Sequence, residues 1–106
     1  MISCALYPSV QTHKKYMVRI TDSRTDTTRI VHFGARGYSD YTVHKDPERM
    51  ERYTLRHRAR ENWSRSGLYT PGFWAKWILW NKPSFRASVQ DTARRFRMRI
   101  QNFTKK

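Results

Sequence analysis

Two short stretches of alternating apolar and polar positions lie in the first third of the chain, KYMVRIT at residues 15–21 and TRIVHFG at residues 28–34. Both are rich in β-branched and aromatic residues, and the polar segment DSRTDT between them is typical of a turn. The pattern predicts a β-hairpin over residues 15–34. Gly34 and Gly37 then mark a sharp exit, because glycine accepts a positive φ without strain.

Helix signals follow the hairpin. Asp46, placed directly before a proline, favours the N-cap of a helix over residues 46–61. Thr70 repeats this signal before a second proline and predicts a helix over residues 71–81, which Pro83 ends.

Ser84 opens a third predicted helix over residues 85–100, because apolar residues recur there at roughly helical spacing. Residues 1–14 and 101–106 lie outside these elements and are interpreted as an N-terminal arm and a basic tail. We therefore predict one small α+β domain over residues 1–106, an N-terminal β-hairpin followed by about three helices. The apolar face of the third helix consists of Phe85, Val89, Phe96 and Ile100.

Composition adds that the chain folds and is strongly basic. Its 106 residues are 38% hydrophobic, which is too rich for a disordered basic tail. Cys4 is the single cysteine, so no intrachain disulfide forms and a reducing compartment is expected. The first residues, MISCALYPSV, have neither a basic region nor a long apolar run, so we expect neither secretion nor a membrane span.

The distribution of charge points to a partner. The chain has 22 Lys and Arg residues against 8 Asp and Glu, a net charge of +14, and every acid lies between Asp22 and Asp91. Both ends are therefore purely basic, and the net positive charge makes self-repulsion a cost to the fold. A small domain carries such an excess most readily when a polyanion or an acidic protein surface supplies the countercharge.

One stripe of arginines lies on the first predicted helix, where Arg52, Arg56 and Arg60 are four residues apart and Arg49 lies one turn earlier. Like charges at this spacing destabilise an isolated helix. A row of guanidinium groups suits phosphates or carboxylates. The alternative is a solvated surface, partly neutralised by nearby glutamates.

A second basic group lies on the last predicted helix and the tail. No acid is close to it, and six phosphate contacts would give log K against log salt a slope of about −5. Phe96 and Phe103 are interleaved with these cations and suggest base stacking, although the spacing of Phe96 favours the buried face. No base-reading motif occurs, so DNA contact is expected to be independent of sequence. The group consists of Arg94, Arg95, Arg97, Arg99, Lys105 and Lys106.

All four tryptophans fall within 18 residues, three of them in GFWAKWILWNKP. This segment is apolar almost all round, which favours a core helix buried on several sides. The alternative is a partner interface on one face, formed by Trp74 with Ile78 or by Trp77 with Trp80, since tryptophan is enriched in interface hot spots.

Catalysis has little support in the sequence. His32, His57 and Asn62 are compatible with a small metal-dependent nuclease, but no cluster has metal-ligand spacing and no phosphate-binding glycine pattern occurs. We therefore expect no catalytic residues, metal or cofactor.

The succession of motifs in FGARGYSDYT, HKD, RHRARENW and GFWAKWILWNKP resembles a family of small basic proteins encoded by large nucleocytoplasmic DNA viruses, including relatives of chlorella viruses and mimiviruses. The motifs occupy Phe33–Thr42, His44–Asp46, Arg56–Trp63 and Gly72–Pro83, about half of the chain. The resemblance implies a viral origin and brings no catalytic residues.

A virion component is the function that these observations favour. The first hypothesis is a minor capsid protein that binds other virion proteins through its Trp-rich helix and basic ends, located in the particle and, during assembly, in the host cytoplasm or nucleus. The alternative is a sequence-independent DNA-binding or DNA-condensing protein of the viral core. A small nuclease is the third hypothesis.

Overall fold

A four-stranded sheet covered on one face by helices forms the domain. The computed structural model describes residues 1–106. The strands are β1 (Ile2–Pro8), β2 (Lys14–Asp22), β3 (Thr27–Ala35) and β4 (Arg99–Asn102), and the helices are α1 (Tyr41–His44), α2 (Pro47–His57), α3 (Pro71–Trp74) and α4 (Phe85–Phe96). The predicted α+β class and N-terminal hairpin are confirmed, although the structure has one α-helix more than the three expected.

The sheet has the strand order β3-β2-β1-β4. Strands β1, β2 and β3 are antiparallel neighbours, while β4 returns after the helices and lies parallel to β1, with Cys4 opposite Ile100. Since side chains alternate along a strand, each strand has one inner and one outer set. The inner set of β1 is Ile2, Cys4 and Leu6, all buried.

Helices α3 and α4 cover the inner face. Trp74 lies at the centre, fully buried, with its ring 6.3 Å from that of Phe33 and its indole N–H donating to the carbonyl of Leu68 at 2.7 Å. A π-helical segment, Ala75–Leu79, continues α3 and adds the buried Ile78 to the same core. The GFW segment is therefore a core helix.

The predicted helix starts are confirmed by their caps. Asp46 accepts a hydrogen bond from the backbone N–H of Glu48 at 3.0 Å, and Ser84 accepts one from Ala87 at 3.2 Å. The hydroxyl of Thr70 is 3.4 Å from the N–H of Phe73. Each side chain satisfies a backbone donor that the first turn leaves unpaired.

Three predicted segments are wrong. Residues 1–14 are not an arm, because Ile2–Pro8 is an interior strand of the sheet. The helix expected over residues 85–100 ends at Phe96, where Arg97 adopts a left-handed φ of 52° and turns the chain into β4. The predicted basic tail, residues 101–106, therefore begins with the last two residues of β4. The other two predicted helices are also shorter, ending at His57 and, with the π-helical segment, at Leu79.

The proposed partner interface on the Trp-rich helix is also wrong for Trp74 and Ile78, which are 0% exposed. Trp77 and Trp80 are only partly buried. Trp80 stacks on Tyr53 of α2, with ring centroids 4.3 Å apart and planes 2° apart. This contact packs α2 against the end of the core helix and covers one face of the Trp80 ring within the domain.

Candidate nucleic-acid interface

Few of the cations have an anionic neighbour. Of the 22 Lys and Arg residues, only Lys15, Arg94 and Arg95 lie within 4.0 Å of a carboxylate oxygen. The excess of positive charge seen in the sequence is therefore not neutralised by folding. It remains on the surface, where a polyanion can reach it.

Except for the buried Ala5, the side chains of the outer face of the sheet are partly or fully exposed, and none of them is an acid. On this face Ile30 is 55% exposed and Phe103 is 50% exposed. An antiparallel sheet commonly leaves one face solvated, but an exposed aromatic there is a feature to explain. The outer face consists of Ser3, Ala5, Tyr7, Met17, Arg19, Thr21, Thr28, Ile30, His32, Arg99, Gln101 and Phe103.

An aromatic pair lies at one end of the outer face. The rings of Tyr7 and Phe103 are stacked, with centroids 5.1 Å apart and planes 12° apart. The guanidinium carbon of Arg19 lies 5.7 Å from the centroid of the Tyr7 ring. Phe103 is held there because its backbone N–H donates to the carbonyl of Leu6 at 2.8 Å and extends the pairing of β4 with β1.

Cations follow the exposed edge of β4, a region we call the basic edge, defined by Arg86, Arg97, Arg99, Lys105 and Lys106. Arg86 of α4 and the two terminal lysines line one open cleft of about 550 Å³, without an acid. Arg97 and Arg99 lie at the other end of β4 and are exposed.

The tail that carries the two lysines is folded back on the strand. Thr104 is buried, and its N–H donates to the side-chain oxygen of Asn102 at 3.0 Å. The backbone N–H of Lys106 donates to the Thr104 hydroxyl at 3.3 Å. Consequently Lys105 and Lys106 have a defined place beside β4.

The two arginines of α4 are partly neutralised. Arg94 and Arg95 donate to the two oxygens of Asp91 at 2.8 and 3.3 Å, and Asn81 donates to the same carboxylate at 2.8 Å. Burial alone would raise the pKa of Asp91, but the hydrogen bonds from Asn81 and Arg95, with the charges of Arg95 and Lys82, outweigh it and lower the pKa below its ordinary value. Arg95 also lies over the ring of Trp77, 4.6 Å from its centroid.

The predicted arginine stripe on α2 is a separate surface. Arg49, Arg52 and Arg56 are exposed on the helix, and Arg60 lies in the turn after it; none has an ion-pair partner. No polar contact joins this stripe to the basic edge. The structure therefore presents two groups of cations rather than one.

A cleft of about 390 Å³ lies between α2, the start of α3 and the ends of β2 and β3. Lys15 and the buried Asp40 form an ion pair of 2.6 Å in it, and Nδ1 of His57 is 3.9 Å from Glu61. Tyr53, which stacks on His57 with centroids 4.2 Å apart, has its pKa raised by burial. The charges of this cleft are balanced, so it lacks the uncompensated cations that a polyanion requires.

The histidines lie in different surroundings. His32 on the outer face shares a hydrogen bond of 2.8 Å with Ser9, whereas His57 lies in the cleft beside α2. His44 accepts from the N–H of Asp46 at 2.9 Å, and burial lowers its pKa. No group of three or more His, Cys, Asp or Glu side chains lies close enough to hold a metal ion. The nuclease hypothesis stays a prediction.

Sequence reasoning missed part of the interface. Phe96, the alternative stacking residue, packs in the core 4.9 Å from Phe73, while Phe103 is exposed on the sheet. Tyr7, Arg19 and Arg86 were not among the predicted residues. The alternation of ISCALYP was the available signal for Tyr7, because it places Tyr7 opposite to Leu6 on a strand.

Residues 4–57 match the model of a protein family of unknown function, DUF5754. The chain belongs to this family. The matched segment contains strand β1 from its third residue, strands β2 and β3 and helices α1 and α2. It therefore includes Tyr7, Arg19 and the stripe from Arg49 to Arg56. The chain matches no curated protein and no solved structure. None of the helices has the length and apolar composition needed to cross a bilayer.

Proposed function

We propose that this DUF5754 protein binds nucleic acid without sequence specificity through the basic edge and the adjoining outer face. The observation that carries the proposal is the absence of acids from this surface. Six cations lie there without a carboxylate partner, on a domain of net charge +14. They are Arg19, Arg86, Arg97, Arg99, Lys105 and Lys106.

Phosphate is the chemical group that this arrangement fits. Arginine presents a planar fork to a phosphate, lysine contributes a compact charge, and release of condensed counterions drives association. Phosphate contacts position a protein on nucleic acid but carry no sequence information. Binding is therefore expected to depend steeply on salt and weakly on base sequence.

A salt titration tests the proposal. If all six cations contact phosphates of duplex DNA, the slope of log K against log salt is about −5. Replacement of four of them by glutamine makes the slope shallower by about 3 to 4. The residues to replace are Arg97, Arg99, Lys105 and Lys106.

The α2 stripe supplies a matched control, because it offers the same number of exposed cations on another surface. The control variant replaces Arg49, Arg52, Arg56 and Arg60 by glutamine, and we expect its slope to change by less than that of the basic-edge variant. An equal or larger change in the control would assign binding to α2. A wild-type protein without affinity for DNA or RNA at low salt would contradict the proposal altogether.

The virion setting remains part of this proposal and is supported by the resemblance to proteins of large DNA viruses. The packaged genome would then be the polyanion, and other virion proteins are the alternative partner. Burial of Trp74 and Ile78 leaves the minor-capsid hypothesis with the basic surface and the partly buried Trp77 and Trp80 as its contacts. Fractionation of particles separates the two: release with the DNA supports genome binding, and release with the shell supports the capsid role.

A further inference from the structure

We propose that the outer face of the sheet binds single-stranded nucleic acid, with the stacked rings of Tyr7 and Phe103 as a platform for an unpaired base. This inference rests on the proposed function and names the form of nucleic acid that the surface takes. The aromatic pair would contact bases, whereas the basic edge would contact phosphates. An experiment can therefore contradict one of the two proposals and leave the other intact.

The aromatic pair has the geometry of such a platform. Phe103 is 50% exposed although it is a large apolar side chain, and it lies parallel to Tyr7 at 5.1 Å, with planes 12° apart. The two rings come from adjacent parallel strands, so the sheet holds them in place. Aromatic rings on a rigid sheet are a recurring base-stacking surface in proteins that bind single strands.

Charge on the face fits the backbone of the same strand. Arg19 lies beside Tyr7, and Arg99 lies on the outer face four residues before Phe103, a distance of about 13 Å along β4. Lys105 follows two residues after Phe103. Arg19 and Arg99 therefore lie on one side of the platform, and Lys105 lies beyond it in the cleft beside α4. The outer face has no Asp or Glu that would repel phosphates.

A single strand fits this surface better than a duplex. The base faces of a duplex are covered by their neighbours in the stack, so a ring on a flat sheet reaches only its backbone. An unpaired base can turn its whole π-face towards Phe103 while its phosphates lie near Arg19 and Arg99. The face should accordingly tolerate any base, since stacking requires only a π-face.

The experiment compares the affinity of the full chain for a labelled 12-nucleotide single strand with that for a duplex of the same length, by fluorescence anisotropy. We expect Phe103→Ala to weaken single-strand binding by about 5- to 150-fold, the range that loss of one stacked base produces. Duplex binding should change less than twofold. Phe103→Tyr retains the ring and should bind the single strand within about twofold of the wild type.

Tyr38 provides a matched control, since it is an aromatic residue that is 75% exposed in the loop after β3, away from the outer face. Tyr38→Ala should leave both affinities unchanged. Thermal unfolding of each variant checks that the domain is folded. If Phe103→Ala is misfolded, Phe103→Leu takes its place, because it keeps the apolar volume and removes the π-face.

Three outcomes overturn the inference. If the alanine variant keeps its single-strand affinity while the salt slope with duplex remains, the platform is wrong and the proposed function stands. If both affinities fall together, Phe103 acts through the fold or the charge and not through stacking. If sedimentation shows a dimer that Phe103→Ala dissociates, a second copy of this chain is the occupant of the face.

Discussion

Asp91 of α4 accepts hydrogen bonds from three side chains, and replacing it by asparagine tests how much these bonds stabilise the fold. The carboxylate is 4% exposed and accepts hydrogen bonds from Asn81, Arg94 and Arg95. Asparagine keeps the shape of the side chain but removes its charge. It also places an amide N–H₂ group among three hydrogen-bond donors.

The expected loss of stability follows from the exposure of each partner. The hydrogen bond from Asn81 to a charged acceptor contributes about 1.5–3 kcal/mol. The Arg94 and Arg95 side chains are 78% and 46% exposed, so water replaces much of their interaction and each pair contributes at most about 1 kcal/mol. We therefore expect Asp91→Asn to cost about 2–4 kcal/mol and to lower Tm by roughly 10–20 °C.

The pH dependence gives a second measurement with a definite sign. Because the folded protein lowers the pKa of Asp91 below 3.8, the charged carboxylate stabilises the fold above the pKa of the unfolded chain. That contribution is lost as the pH falls through the folded pKa. The difference between wild type and Asp91→Asn should be complete near neutral pH and should shrink below about pH 4.

Urea unfolding followed by circular dichroism at several pH values measures both effects. Arg94→Gln is the control, since the exposed partner should cost under about 1 kcal/mol. A stability of Asp91→Asn within about 1 kcal/mol of wild type at pH 7 would contradict this role of the Asp91 carboxylate. So would a difference that is the same at pH 3 as at pH 7.

Three further predictions concern packing and reactivity. Gly67→Ala should lower the free energy of unfolding in urea by about 1–3 kcal/mol, because the added Cβ would lie 2.0 Å from the backbone oxygen of Asn62. Gly72→Ala should lower it less, since its added Cβ meets the movable carboxylate of Glu61. Trp74→Ala should cost about 3–5 kcal/mol, much of the whole stability, and a soluble, cooperatively folded variant with an unchanged midpoint would contradict its central place. Burial raises the pKa of the Cys4 thiol to about 12, so a thiol reagent at pH 8 should modify it only as fast as the domain unfolds; rapid labelling of the native protein would be the contrary result.

The elements that were predicted correctly are those whose contacts are local in the chain. The caps at Asp46, Thr70 and Ser84 act on backbone groups two or three residues away, so a short window of sequence contains both partners. The β2–β3 hairpin is likewise local, because four residues connect its strands. These elements depend on neighbours in the chain.

Long-range pairing was the part that sequence could not supply. Strand β4 pairs with β1, about 95 positions away, and the spacing of Phe96 and Ile100 suits a helix as well as a strand. Arg97 turns the chain between them with a φ of 52°, without the glycine that usually signals such a turn. Residues 2–8 alternate as a strand should, but their partners lie on both sides at other points of the chain.

The charge of this protein, its helix starts, its hairpin and the apolar character of the Trp-rich helix can all be read from the sequence, because they follow from composition and from contacts between near neighbours. Which rings are buried and which are exposed depends on the tertiary fold. Trp74 and Phe103 are both large apolar residues, yet one is enclosed by the sheet and helices and the other lies on the outer face. Burial depends on which segments pack together although they are far apart in the chain, so no short window of sequence contains both partners.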